Sequence, residues 1–129
     1  MTEIEVATGA RQQMVDISDE LQRAVASSGV ADGLCHVFCP HTTCGLAVNE
    51  GHDPEVAADI LAHLSRLVPA GASWRHLEGN ADAHLKAFLA GADLTLPVAG
   101  GVLRLGRWQA VFLCEFDGPR RRQLWVTVR

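Results

Sequence analysis

At 129 residues, with 48% hydrophobic and 20% charged residues, the chain is long enough for one core and too short for two comfortable ones. A net charge of −4 and an isoelectric point near 5.8 remove the electrostatic case for nucleic acid as a bulk partner. No apolar run approaches the roughly 18 residues of a membrane-crossing helix. The opening Met1-Thr2-Glu3-Ile4-Glu5 lacks the basic-then-apolar order of a secretory signal, so the expected compartment is cytoplasmic and the cysteines are expected as reduced thiols.

In chain order, Ile4 and Val6 alternate with Glu3, Glu5 and Thr8, which predicts a first strand around residues 3–8. A helix opens near Ser18, with Asp19 and Glu20 where the helix dipole favours anions. Leu21, Ala24 and Val25 form its buried stripe, and Gly29 ends it. A strand follows from about Leu34 to Cys39, is broken by Pro40-His41-Thr42-Thr43, and resumes through Leu46, Ala47 and Val48 to Asn49-Glu50. Cys35, Val37 and Cys39 share one strand face, as small buried hydrophobes do. The spacing of Cys35, Cys39 and Cys44 contains no C-x-x-C pair and fits structural zinc poorly.

Asp53-Pro54 supplies an N-cap and a first-turn proline for a second helix. Val56, Ile60, Leu64 and Leu67 make its stripe, and Pro69 and Gly71 end it. Asn80 is placed to cap a short third helix, lined by Leu85, Phe88 and Leu89 and closed by Gly91. From Leu94 the pattern is all strand, with a hairpin through Ala99-Gly100-Gly101 into Val102–Leu105. Trp108 to Phe116 is apolar on both faces and reads as a central strand. Asp117-Gly118-Pro119 turns the chain into a last strand with Leu124, Val126 and Val128 on one face. The order predicts a single α+β domain over residues 1–129, with two to three helices and largely antiparallel strand pairing.

His36, His52 and His63 read as structural or solvent-facing. His41, His76 and His84 sit at element ends or in loops, beside polar neighbours. Three imidazoles meeting at one point would form an open three-nitrogen site, with Glu50, Glu78 or Asp82 as outer acceptor or base. Glu115 ends an otherwise apolar strand face. A buried carboxylate needs a partner, and Arg120 and Arg122 lie just across the turn. The Arg120-Arg121-Arg122 cluster suits a phosphate, a solvated edge or a subunit contact. There is no glycine-rich phosphate loop and no G-x-S-x-G elbow.

Several segments form an ordered set: Pro40-His41-Thr42-Thr43 with Gly45-Leu46, Asn49-Glu50, Asp53-Pro54 and His76. Gly79-Asn80-Ala81-Asp82-Ala83-His84-Leu85-Lys86, Leu105-Gly106-Arg107-Trp108-Gln109 and Glu115-Phe116-Asp117-Gly118-Pro119-Arg120-Arg121-Arg122 complete it. Together, in order along nearly the whole chain, they resemble the YjbQ family. The resemblance implies a trimer-forming α+β fold, a largely antiparallel β-sandwich, and a pocket in which His41, His76 and His84 hold a divalent metal, zinc among the candidates. It also implies a weak transferase activity, that of a secondary thiamine-phosphate synthase, joining a hydroxymethylpyrimidine pyrophosphate to a thiazole phosphate. Glu50, Glu115 and Asn49 are the catalytic candidates under this reading. Arg120, Arg122, Thr42, Thr43 and Asn80 would contact the small phosphorylated metabolite.

Two alternatives use the same residues: a non-catalytic metal- or metabolite-binding trimer, and a metal-dependent phosphate-ester hydrolase. Cys35, Cys39 and Cys44 depart from the family pattern, standing where variable small residues are expected.

Overall fold

The computed structural model describes residues 1–129. Its elements are β1 (Thr2–Ala7), β2 (Gln13–Asp16), α1 (Ser18–Ser28), β3 (Gly33–Phe38), β4 (Cys44–Glu50), α2 (Pro54–Leu67), α3 (Ala81–Ala90), β5 (Asp93–Ala99), β6 (Val102–Leu103), β7 (Gln109–Glu115) and β8 (Arg121–Val128). All strand pairs are antiparallel. They form a five-stranded sheet ordered β1-β8-β3-β5-β6 and a three-stranded sheet ordered β2-β7-β4. The chain is therefore α+β, as its element order predicts.

The main core lies between the sheets. Val37, Leu96, Leu124 and Val126 from the larger sheet meet Leu46, Val111 and Leu113 from the smaller one, and Ile17, Leu21 and Val25 of the α1 region close the same cluster. On the outer face of the smaller sheet, Ala110, Phe112, Cys114 and Phe116 pack under Ala83 and Ala87 of α3 and Leu61 and Leu64 of α2. β7 is thus covered on both faces, which is why its sequence is apolar without alternation. β2 is not predicted by any periodicity in its four residues, which pair with β7, Met14 opposite Cys114 and Val15 opposite Leu113.

α1 and α2 follow their local signals. Gly29 adopts the left-handed conformation (φ 72°) that closes α1. The Asp53 side chain accepts from the Glu55 amide at 2.9 Å, with Pro54 at the first helical position. The α2 stripe is only half covered, and Leu67 remains 62% exposed.

α3 departs from expectation. Its inward face is Ala81, Asp82, Ala83, Lys86 and Ala87, whereas Leu85, Phe88 and Leu89 point outward, Phe88 at 83% exposure. The reason is how closely the helix approaches β4. The Leu46 amide donates to the Gly91 carbonyl at 3.0 Å, and a Cβ on Gly45 would stand 2.8 Å from both the Ala90 Cβ and the Gly91 oxygen. Only small side chains fit where Ala87 and Ala90 face Gly45, and Asp82 and Lys86 fill the rest of the inward face, so the large apolar side chains point away. The inward Lys86 ammonium is held by Asp82 at 3.4 Å, Gln12 at 3.2 Å and Ser65 at 3.4 Å, while Arg11 grips both oxygens of Asp82.

Candidate functional site

The β4/β7 end of the smaller sheet, the Pro40–Thr43 loop and the start of α3 enclose three adjoining clefts, and His84 lines all three. One, of about 350 Å³, has no hydrophobic lining residue; it is bounded by Pro40, His41, Thr42, Thr43, Glu78, Asn80, His84, Asp117, Arg120 and Arg122. A second, of about 380 Å³, shares His41, Thr42 and His84 with it and adds Cys44, Ala87 and Phe88. The third, of about 330 Å³, places Trp74, Arg75 and His76 beside His84.

The floor of the polar cleft is an ion pair between the two sheets. β7 ends at Glu115 and β8 begins at Arg121, and the turn between them returns Arg122 onto Glu115. Arg122 Nε donates to Glu115 Oε1 at 2.9 Å, and its Nη2 donates to Glu115 Oε2, Thr43 Oγ1 (2.9 Å) and the Thr43 carbonyl (3.4 Å). The Thr8 hydroxyl also donates to Glu115 Oε1, at 2.7 Å, and the Phe116 and Asp117 amides donate to Oε2. Burial alone would push the Glu115 carboxyl up; the Arg122 guanidinium, the Thr8 hydroxyl and the Asp117 amide outweigh it and hold it below the usual range. The partner that the sequence demanded for Glu115 is therefore Arg122. Glu115 is fully buried with both oxygens engaged, which makes it a positioning residue and not a base that touches substrate. Nη1 of Arg122 donates to no protein atom, and no fully buried side-chain nitrogen lacks a partner, so this nitrogen keeps contact with the cleft.

Asn80 does not cap α3 with its side chain. Instead its amide nitrogen donates to Asp117 Oδ2 at 2.9 Å, and its oxygen accepts from His76 Nε2 at 2.9 Å. Asp117, expected from the sequence only as a turn residue, also accepts from Arg120 Nη2 at 3.0 Å. Burial would raise its carboxyl, but the hydrogen bonds from Asn80 and Arg120 prevail and lower it. An aspartate opening a D-G-P turn between a strand and an arginine cluster was the available signal.

The imidazoles converge on the clefts without meeting at one point. The His76 and His84 rings stand edge to face with centroids 5.0 Å apart. His41 lines two clefts with His84, but its Nε2 lies 2.9 Å from the Gln123 amide nitrogen and 3.1 Å from its carbonyl. Burial and the nearby Arg122 charge lower the His41 pKa, so the ring is neutral and accepts from the amide. No three His, Cys, Asp or Glu side chains are arranged to hold a metal ion.

Asn49 and Glu50 lie at the opposite end of β4. Glu50 pairs with Gln109 where Cys44 pairs with Glu115, a separation of about 20 Å along the strand. There Asn49 Oδ1 accepts from the Glu50 amide at 2.7 Å, and Glu50 accepts from the His52 amide at 2.5 Å. Within one chain these two residues do not join the histidines. The remaining histidines behave as read: His36 bonds Asp93 at 3.1 Å, His52 packs against Trp108, and His63 is exposed.

The family model described as "UPF0047 protein YjbQ-like" matches residues 2–129. A UPF0047 protein of Methanocaldococcus jannaschii is 43% identical, over 96% of this chain and 90% of its own length. The UPF0047 protein YugU of Bacillus subtilis is 38% identical, over 95% of this chain and 94% of its own. Among solved structures, a conserved hypothetical protein of Thermus thermophilus superposes with a TM-score of 0.94 at 48% identity, and a YjbQ/UPF0047-family protein of Clostridium acetobutylicum with 0.98 at 42%, each over 100% of both chains. The chain belongs to the YjbQ/UPF0047 family.

Proposed function

We propose that this member of the YjbQ family binds a small phosphorylated metabolite in the polar cleft and catalyses there the displacement its resemblance implies, the formation of thiamine phosphate. The observation that carries this reading is a wholly polar cleft sharing His41, Thr42 and His84 with a half-apolar one beside it. A pyrophosphate suits the first, and a flat heterocycle packed on Ala87 and Phe88 suits the second. The thiazole nitrogen attacks the exocyclic methylene carbon of the pyrimidine, the C–O bond breaks, and pyrophosphate leaves with the electron pair.

The charge to be stabilised grows on that leaving group. Nη1 of Arg122, the exposed side of Arg120, the Thr42 and Thr43 hydroxyls and the His84 ring are the donors available around the cleft. This displacement requires no general base. Of the carboxylates at the cleft, Glu115 and Asp117 are tied to arginines, whereas Glu78 and the His84 ring are open to water, so phosphate-ester hydrolysis stands as the alternative at the same residues.

The expected divalent metal is given no step: within one chain His41, His76 and His84 do not gather as a three-ligand set. Asn49 and Glu50 reach a cleft only from a neighbouring copy. The homotrimer implied by the family resemblance would supply one, and the outward Leu85, Phe88 and Leu89 of α3 support such assembly.

The test incubates the purified protein with the pyrimidine pyrophosphate and the thiazole phosphate and separates the products by chromatography. Thiamine phosphate and pyrophosphate are expected in equal amounts, with His84→Ala slower by about 100-fold or more and its circular dichroism unchanged. Pyrophosphate bound calorimetrically without any product would replace the enzyme by the binding module; neither binding nor product would remove the site.

A further inference from the structure

We propose that Cys39 and Cys44 are a redox-active dithiol that closes reversibly into a disulfide across the two ends of the Pro40–Thr43 loop. The proposal goes beyond the reading of the cleft and holds whatever the cleft binds. The two sulfurs stand 3.4 Å apart, and all four cysteines are free thiols. A disulfide needs about 2.05 Å, a small closure for side chains that already face each other. Cys39 follows β3 of the five-stranded sheet and Cys44 opens β4 of the three-stranded one, so the bond would join the sheets covalently beside the clefts. It would also fix the loop that carries His41 and Thr42.

Both residues are buried, but Cys44 lines the half-apolar cleft with His41, Thr42 and His84, which gives a molecule the size of hydrogen peroxide a way in. Cys44 is the member of the pair that faces this cleft, whereas the Cys39 thiol donates to the Cys44 carbonyl at 3.6 Å. Cys44 therefore meets the oxidant first and Cys39 resolves. Burial raises Cys35, and pushes Cys114 up to about 12, so these two stay protonated and serve as internal controls.

The oxidant is a hydroperoxide. The Cys44 sulfur, as thiolate, attacks one peroxide oxygen, the O–O bond breaks, and hydroxide leaves to give a sulfenic acid. The Cys39 sulfur then attacks the Cys44 sulfur, the S–O bond breaks, and the Cys39 proton departs with the sulfenic oxygen as water. Two thiols lose two electrons, one peroxide becomes two waters, and a small dithiol reverses the result by exchange.

The experiment treats the full chain with near-stoichiometric hydrogen peroxide, alkylates it in denaturant and digests it with chymotrypsin. Cleavage after Phe38 and Leu46 releases residues 39–46 with only these two cysteines. The expected fragment is unalkylated and two hydrogens lighter, forms at least about tenfold faster than Cys35 or Cys114 is consumed, and returns to the alkylatable form after dithiothreitol. Alkylation of both cysteines after peroxide, oxygen addition without loss of the two hydrogens, or consumption of Cys35 or Cys114 at the same rate would overturn the proposal. In Cys39→Ser, a dimedone adduct on Cys44 is expected, and a folded variant without one overturns the assigned order of attack. If that variant does not fold, the wild-type fragment decides alone.

Discussion

α1 and α3 are helices of similar length that obey opposite rules. α1 turns Leu21 and Val25 into the main core, both at 0% exposure, and shows water its polar residues. α3 buries Asp82 and Lys86, at 0% and 1%, and shows water Phe88 and Leu89. Leu21 and Val25 of α1 fill space in the core between the sheets. The C-terminal end of α3 is hydrogen-bonded through Gly91 to β4 and meets Gly45 with Ala87 and Ala90, while Asp82 and Lys86 fill the rest of its inward face as an ion pair. The difference teaches that an amphipathic pattern identifies a helix but does not choose its inward face when the neighbouring backbone is very close.

Asp82→Ala breaks this contrast most severely. It leaves the Lys86 ammonium buried with only Gln12 and Ser65, and the cost is about 3–5 kcal/mol of unfolding free energy in a urea titration. A loss below about 1 kcal/mol, the scale of an exposed ion pair, would mean that the ion network does not hold α3 in place.

Acid gives a graded version of the same test. Asp82, Glu115 and Asp117 have carboxyls held below their ordinary range, so the unfolded chain takes up protons first as the pH drops. Their contribution is complete above the unfolded carboxylate range, about pH 4–4.5, and is lost as the pH falls below it. The lowered His41 acts with the same sign from about pH 6.5 downward. Thermal unfolding is therefore expected to be flat near neutrality, to decline gently below about pH 6.5 and to fall more steeply in the carboxylate range. A midpoint that rises on acidification would contradict these directions.

Phe88→Ser gives the smallest change within one chain. An exposed side chain costs within about 0.5 kcal/mol, while sedimentation is expected to show a lower mass if α3 is a subunit contact. An unchanged mass would leave the outward apolar face without that role.

Much of the site was legible in the residues. Glu115 could not end an apolar face unpaired, and Arg122 was one of two cations within reach. His76 and His84 lie eight residues apart around a helix start, and they do become neighbours. Asn80 was misread because an asparagine before a helix satisfies the capping rule and the bridging role equally well; only Asp117 arriving from another strand selects the bridge. β2 was missed because four residues at a sheet edge carry no period of their own.

The sequence by itself determined where α1 ends and where α2 begins, since Gly29, Asp53 and Pro54 act on dihedral angles within a few residues. It also determined that β7 is covered on both sides, because a strand apolar on alternate and intervening positions has no face to give to water. Tertiary structure decided which face of α3 turns inward, which partner each polar side chain takes, and that Asn49 and Glu50 lie a strand's length from the histidines. Those outcomes depend on distances between elements far apart in the chain, and local periodicity carries no record of them.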